Sequence, residues 1–119
     1  MLNSFLGKRL LGCKYAIKGA IQLIKNEASV QVQTVIAIGI TIAGFVFEIS
    51  ATEWMLQCFA IGLVMTAEGL NTAAEEIANF IHPDQHPKIG YIKDVAAGAV
   101  FFAAITAVVI AGIIYIPKF

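Results

Sequence analysis

Two glutamates and an asparagine fall on one face of an apolar segment in the middle of the chain. Glu68, Asn71 and Glu75 occur in the run AEGLNTAAEE at one-face helical spacing. A carboxylate within a membrane-spanning helix is costly, so such a group is interpreted as functional. Asn71 is placed to bridge both carboxylates, which lie roughly 10 Å apart along a helix axis. The pattern indicates an intramembrane enzyme or transporter.

The composition favours a membrane protein. Hydrophobic residues make up 59% of the 119 residues and charged residues only 13%, and the mean hydropathy is +0.81. An ordinary soluble domain of this size carries more surface charge. The formal net charge is zero, and we expect the bilayer rather than a nucleic acid as partner.

We predict a single all-α membrane domain, residues 1–119, because three apolar stretches approach the roughly 20 residues that a bilayer requires. The predicted transmembrane helices cover residues 30–49, 54–80 and 94–116, and an amphipathic surface helix covers residues 4–27. That surface helix separates an apolar stripe from a basic one, which is typical of a helix in the membrane interface. The alternative is a helix that packs on protein in the same complex. The apolar stripe is Leu6, Leu10, Cys13, Ile17, Ala20, Ile21 and Ile24, and the polar stripe is Lys14, Lys18, Gln22 and Lys25.

The basic residues predict the orientation. If the N-terminus is cytoplasmic, seven of the eight basic residues lie inside and Lys118 alone lies outside, as the positive-inside rule favours. Trp54 and Tyr115 then fall near the external interface, where amphipathic aromatic residues are common. Glu75 lies closer to the cytosol than Glu68.

Further polar residues are expected to converge on this site from other helices. Glu27 ends the amphipathic helix, and Lys93 with Asp94 opens the third span. Carboxylates at Glu27 and Glu75 suit a magnesium ion shared with phosphate oxygens, and a lysine beside them would neutralise phosphate charge. The alternative is that Lys93 and Asp94 only cap a helix and that Glu27 is a surface charge.

The pattern E-x-x-N-T-A-x-E, the Lys93–Asp94 pair and the segments KYAIKGA, NEA and AAGAV resemble the prokaryotic diacylglycerol kinase family, which includes undecaprenol kinases. The resemblance covers nearly the whole chain. It implies a homotrimer of three-span subunits in the bacterial cytoplasmic (inner) membrane, with active sites at subunit interfaces. It also implies transfer of the γ-phosphoryl group of ATP to a lipid hydroxyl, with Mg²⁺ as cofactor.

The resemblance also assigns roles by position. Glu68 matches the general base and Asn71 the residue that orients it, while Glu27 and Glu75 match carboxylates that hold the magnesium of the nucleotide. Glu68 and Ala97 match lipid-substrate positions. The further nucleotide positions are Lys8, Tyr15, Asp84, Gln85, His86, Lys93 and Asp94. The chain departs from the family pattern at Asn79, where aspartate is common, and at Gln31, where a basic residue is usual.

The choice of lipid remains open between two alcohols. Glu53–Trp54 and the ending IYIPKF resemble the undecaprenol kinase branch more than the diacylglycerol kinases, so undecaprenol is the expected substrate and diacylglycerol the alternative. A non-enzymatic subunit that moves ions or protons through Glu68 is the alternative class. That class leaves Asn71, Glu75 and Glu27 without a role.

Overall fold

Helices make up nearly all of residues 4–119, the part of the chain that this computed structural model describes, and these residues form no strand, which confirms the predicted all-α class. Residues 47–50 join the second helix to the third, and we call that end of the bundle the turn end. Residues 82–86 join the third helix to the fourth at the loop end. The helices are α1 (Phe5–Asn26), α2 (Ala28–Val46), α3 (Ala51–Ile81) and α4 (Pro87–Tyr115), followed by a 3₁₀ turn (Ile116–Lys118).

A single extended residue separates the first two helices. Glu27 has φ −105° and ψ 115°, and it is the C-cap of α1 and the N-cap of α2. None of the α1 residues from Phe5 to Asn26 is buried in the chain, so its apolar stripe is free to meet lipid or another subunit. This exposure fits the predicted amphipathic helix and leaves both interpretations of its environment open.

The α2 helix ends in a Schellman motif that a glutamate closes. The Ile49 N–H donates to the Gly44 carbonyl (3.1 Å) and the Glu48 N–H to the Phe45 carbonyl (3.3 Å). Glu48 has φ 51°, the left-handed conformation that this motif needs and that glycine usually supplies. The backbone here is strained, since a side chain disfavours that conformation.

The α3 helix begins with a capping box. The Glu53 N–H donates to the Ser50 hydroxyl (3.2 Å), and the Ser50 N–H donates to the Glu53 carboxylate (2.8 Å). Lys118 adds an ion pair to Glu53 at 3.3 Å. The Ser50 backbone hydrogen bond and then Lys118 hold the pKa of the Glu53 carboxyl below its usual value. The capping box fixes the α2–α3 turn, and the ion pair ties the end of the chain to it.

Three helices meet at a buried polar contact near the turn end. The Tyr115 hydroxyl donates to the Gln57 side-chain carbonyl at 2.6 Å, and the Gln57 amide donates to the Ile40 backbone carbonyl at 3.1 Å. Gln57 is 3% exposed and Tyr115 9%. Tyr115 also packs with Ile49 and Ile114 in a hydrophobic cluster, which we call the turn-end cluster. Tyr115 is therefore a buried hydrogen-bonding residue, and its predicted position near the external interface stays a prediction.

Trp54 packs against the chain as well. A Cβ built on Gly44 would lie 2.5 Å from Trp54 Cη2, so only glycine at position 44 allows the indole ring to pack this closely. The ring of Phe45 contacts the same indole at 4.9 Å between centroids. Trp54 thus helps to join α2 to the start of α3.

Two helical segments in residues 4–119 are long and apolar enough to cross a membrane, Ala28–Val46 and Pro87–Lys118. The predicted span 54–80 lies in α3, which is interrupted by Gln57, Glu68 and Asn71 and is less apolar than those two segments. Residues 47–49 of the predicted 30–49 span form the cap of α2, while residues 54–80 and 94–116 lie almost wholly in longer helices. Helix bounds do not place the bilayer, so the three spans remain a prediction.

Candidate active site

The α3 helix turns Glu68 into the chain rather than toward the surroundings. Its buried residues recur at helical spacing and lie on one face, with Glu68 only 6% exposed. Glu68 has no hydrogen-bond or ion-pair partner in residues 4–119. Burying a carboxylate in this position costs free energy, so such a group is usually functional. The buried residues of α3 are Gln57, Ala60, Val64, Glu68 and Ala78.

Asn71 and Glu75 form the polar contact that their spacing predicts. The Asn71 side-chain amide donates to Glu75 Oε1 at 3.2 Å, and both side chains are half-buried. Asn71 makes no bond to Glu68, so the predicted bridge reaches only one of the two carboxylates. The Asn71 Oδ1 atom is buried without a hydrogen-bond partner in the described chain. An acceptor in that state is available to a donor from a ligand.

Leu23 brings the end of α1 beside this stripe. A Cβ on Gly69 would lie 3.2 Å from Leu23 Cδ1, so Leu23 packs on the residue next to Glu68. Glu27 lies one turn further along and donates its N–H to the Leu23 carbonyl at 3.1 Å. The same helix end that contacts α3 therefore carries the half-buried Glu27.

The carboxylates near this site could bind Mg²⁺ only if a bound nucleotide supplied further oxygen ligands. The described residues contain no group of three or more His, Cys, Asp or Glu side chains placed to hold a metal. Magnesium is commonly bound by one or two carboxylates, with phosphate oxygens and water completing its shell. Glu27 and Glu75 are of the right chemical type for that arrangement. The structure records no contact between their side chains.

Four of the residues predicted to bind the nucleotide line one groove at the loop end. The groove has a volume of about 570 Å³, and Lys93 faces it from the second turn of α4 together with the 84–86 segment. The groove is therefore a single concave surface lined by charged residues of both signs, Asp84 and Lys93. The lining residues are Pro83, Asp84, Gln85, His86, Pro87, Ile89, Gly90 and Lys93.

The fourth helix begins earlier than hydropathy predicts. His86 is its N-cap, accepting a hydrogen bond from the Lys88 N–H at 3.1 Å, and Pro87 occupies the first helical position, which suits proline. Lys93 and Asp94 consequently lie inside α4 and do not open it. The alternative that they only cap the helix is wrong, and their roles stay a prediction.

The remaining predicted residues lie on exposed helix faces. Lys8 and Tyr15 are exposed on α1, and Ala97 is exposed on α4. None of the three lines the loop-end groove. Their roles as nucleotide-binding and lipid-binding residues stay predictions.

Sequence reasoning missed Gln57 as a structural residue. It is the lone amide in the first half of the apolar part of α3, and it lies on the same helical face as Val64 and Glu68. An isolated amide on a buried face needs a partner. That signal was present, but nothing in the sequence names Tyr115 as the partner.

Comparison with known proteins identifies the family. A model of the prokaryotic diacylglycerol kinase family matches residues 14–115. The chain belongs to this family. It is therefore a kinase, and the non-enzymatic translocating subunit is disfavoured. Together with two helices able to cross a membrane, family membership also indicates a membrane protein.

Three relatives extend this comparison. An undecaprenol kinase of Bacillus subtilis is 35% identical over 104 residues, which cover 87% of this chain and 85% of the relative. A diacylglycerol kinase of Synechocystis sp. is 28% identical over 109 residues, 91% of this chain and 62% of the relative. A diacylglycerol kinase of Haemophilus influenzae is 29% identical over 103 residues, 86% and 87% of the two chains.

Proposed function

We propose that this protein transfers the γ-phosphoryl group of ATP to the hydroxyl of a membrane lipid, with undecaprenol as the main substrate. The observation that carries the proposal is the buried Glu68, which lies on the helical face that also holds the hydrogen-bonded Asn71–Glu75 pair. The family match supports the same chemistry. Phosphoryl transfer asks the protein for positioning and charge stabilisation, which these residue types supply.

The length of α3 separates a lipid-side carboxylate from a water-side one. If α3 starts at the outer edge of a hydrocarbon core of about 30 Å, Glu68 lies about 26 Å along the helix and Glu75 about 36 Å. Glu68 then remains within reach of a lipid hydroxyl, while Glu75 reaches the wet phosphate region. This depth order matches a reaction between a lipid and a water-soluble nucleotide.

In the proposed reaction Glu68 accepts the proton of the lipid hydroxyl. The freed oxygen forms a bond to the γ-phosphorus as the bond from that phosphorus to the bridging oxygen of ADP breaks. Asn71 holds one oxygen of Glu75 and so fixes the direction of that carboxylate. The products are a lipid phosphate and ADP, and the proton on Glu68 is released before the next turnover.

The nucleotide is proposed to occupy the loop-end side of the molecule. Lys93 and the 84–86 segment line the groove there, and Lys8, Tyr15 and Asp94 are proposed to add contacts in the assembled protein. Glu27 and Glu75 would hold Mg²⁺, which supplies charge neutralisation of the phosphate oxygens when it is bound. Glu68 and Ala97 are the positions proposed to face the lipid.

The proposed assembly is a homotrimer of three-span subunits in the bacterial inner membrane, with the N-terminus in the cytoplasm. Large apolar side chains are exposed on all four helices, including Leu6, Ile38, Phe59 and Val108. A lone chain in water would not expose so many. Lipid and neighbouring subunits would cover them in the proposed assembly.

The preference for undecaprenol rests on the Bacillus subtilis relative, which carries the name undecaprenol kinase. Diacylglycerol is the alternative acceptor, because two further relatives are named diacylglycerol kinases. Undecaprenol would yield undecaprenyl phosphate and diacylglycerol would yield phosphatidic acid.

A labelled-phosphate assay tests the proposal. Purified protein in detergent micelles receives Mg²⁺, ATP labelled in the γ-phosphoryl group, and either undecaprenol or diacylglycerol at equal mole fraction. We expect label in lipid with both, and more with undecaprenol. Label in neither lipid would overturn the kinase proposal, and stronger labelling of diacylglycerol would overturn the substrate preference.

A further inference from the structure

The corner between α1 and α2 is bridged by a side chain that has no assigned role above. The Gln31 side-chain amide donates to the Lys25 backbone carbonyl at 2.9 Å. Gln31 lies in the first turn of α2 and Lys25 in the last turn of α1. This bond, which we call the corner hydrogen bond, therefore spans Glu27, the single extended residue between the two helices.

The break in the helix explains why this carbonyl is open to a side chain. A helix leaves its last carbonyls without an intrahelical donor. The Glu27 N–H still reaches the Leu23 carbonyl at 3.1 Å, but the backbone becomes extended at Glu27. The Gln31 amide supplies a donor to the Lys25 carbonyl from the following helix. A side chain that caps one helix from the next restrains the angle between them.

Apolar contacts anchor both helices beside the same corner. Leu23 of α1 packs next to Gly69 of α3, where an added Cβ would lie 3.2 Å from Leu23 Cδ1. Val30 of α2 is only 1% exposed. The corner hydrogen bond is the only side-chain hydrogen bond between α1 and α2 in residues 4–119. It therefore adds direction to a corner that is otherwise held by apolar packing.

Glu27 does not use its carboxylate to hold the corner. It is the N-cap of α2, yet its side chain makes no capping hydrogen bond, and it is half-buried. An N-cap side chain commonly accepts from the first N–H groups of its helix. The carboxylate of Glu27 is therefore available to a cation, and the backbone at the corner sets the direction in which it points.

We propose that Gln31 is a positioning residue for Mg²⁺, which holds the backbone at Glu27 through the corner hydrogen bond so that the Glu27 carboxylate points toward the cation. This inference rests on the proposed function, in which Glu27 and Glu75 bind Mg²⁺, and adds a residue that acts through one of them. Groups that orient a metal ligand affect metal affinity without touching the metal. Gln31 itself contacts neither the cation nor the nucleotide in this assignment.

Gln31→Met tests the role of the donor. Methionine is also long and unbranched but has no N–H to donate. The probe is Mn²⁺, which accepts the same oxygen ligands as Mg²⁺, in the presence of a non-hydrolysable ATP analogue. We expect its dissociation constant to rise at least about threefold, the scale of one lost hydrogen bond. Electron paramagnetic resonance measures free Mn²⁺ in detergent micelles without lipid substrate, so the result does not depend on turnover.

The kinase assay gives a second measurement. Gln31→Met should need at least about threefold more Mg²⁺ for half-maximal rate, while kcat at saturating Mg²⁺ and KM for the lipid stay within about twofold. Gln22→Met is the matched control, because Gln22 is exposed on α1 and forms no hydrogen bond through its side chain in residues 4–119. The control should leave the affinity for Mn²⁺ and the requirement for Mg²⁺ unchanged.

Two further variants separate positioning of Glu27 from a general loss of structure. Gln31→Lys keeps a side-chain donor and should restore the dissociation constant of Mn²⁺ to within about twofold of the wild-type value. Adding Gln31→Met to Glu27→Gln should have no further effect, because the carboxylate that Gln31 positions is then absent.

The inference fails if Gln31→Met binds Mn²⁺ normally, if Gln22→Met loses as much affinity, or if Gln31→Lys does not restore it. An equal loss from Gln31→Met with and without Glu27→Gln would also overturn it. In each case the wild-type kinase activity still stands. A wild-type protein without Mg²⁺-dependent kinase activity would instead refute the proposed function.

Discussion

The side-chain amide of Asn71 donates a 3.2 Å hydrogen bond to Glu75 Oε1, one turn further along α3. The other end of the amide, Oδ1, is buried without a partner in the described part of the chain. A buried acceptor left unpaired costs about 1–3 kcal/mol. Asn71 thus uses its amide N–H to orient the Glu75 carboxylate. Its Oδ1 atom can accept a hydrogen bond from a ligand or from a neighbouring subunit.

Glu75→Gln should weaken the metal–nucleotide complex. A neutral amide is a poor ligand for a hard cation such as Mg²⁺, so the variant should need a higher concentration of Mg²⁺. Its activity should fall by at least about 10- to 100-fold, the loss seen when groups around a bound metal are altered. The measurement is initial rate against magnesium concentration at fixed ATP.

The neighbouring Glu76 gives a matched control for that substitution. Its side chain is exposed and lies off the stripe of Glu68 and Glu75. Glu76→Gln should retain activity within about twofold, since surface substitutions away from a site have small effects. Normal turnover of Glu75→Gln at saturating magnesium would remove Glu75 from the site.

Glu68→Gln should impair the chemical step and spare nucleotide binding. The change is nearly isosteric but removes the proton acceptor, so kcat should fall roughly 100-fold or more. Binding of magnesium–ATP, measured by calorimetry, should remain. Because a buried carboxylate is costly, thermal stability in detergent should be unchanged or higher. Lost nucleotide binding with retained turnover at high ATP would reverse the roles of Glu68 and Glu75.

The sequence predicted the stripe on α3 because helical spacing alone places Glu68, Asn71 and Glu75 on one face. It did not predict that Tyr115 meets Gln57, since that contact joins residues 58 positions apart and depends on how α4 packs. The start of α4 was also missed. Hydropathy marks where a segment turns apolar, whereas a helix continues through Lys93 as long as its backbone hydrogen bonds are made.

Tyr115→Phe should destabilise the chain by removing the contact that joins α4 to α3. Gln57 Oε1 would lose its donor at a site that is 3% exposed, at a cost of about 1 kcal/mol, the scale of hydrogen bonds between membrane helices. Unfolding in increasing sodium dodecyl sulfate measures the change. Tyr91→Phe removes the same hydroxyl from an exposed ring and should have no effect. Equal destabilisation by both changes would argue against the buried contact.

The predicted topology places the two ends of the chain on opposite sides of the membrane. A reporter fused before Met1 should be cytoplasmic and one fused after Phe119 should be external, because seven of eight basic residues then lie inside. This measurement bears directly on α3, whose polar residues make it less apolar than the two helices able to cross a membrane. Both reporters on one side would mean an even number of spans and would take α3 or another helix out of the bilayer.

Glu48→Gly should stabilise the α2–α3 turn. Glu48 has φ 51° in the Schellman motif that ends α2, and this left-handed conformation costs a side-chain-bearing residue about 1–2 kcal/mol. Glycine removes that cost but loses more backbone conformational entropy on folding. We therefore expect the free energy of unfolding in dodecyl sulfate to rise by about 0.5–1 kcal/mol. Glu76→Gly makes the same chemical change inside α3 and should instead destabilise by about 1 kcal/mol. A loss of stability in Glu48→Gly would show that its side chain contributes more than its backbone strain costs.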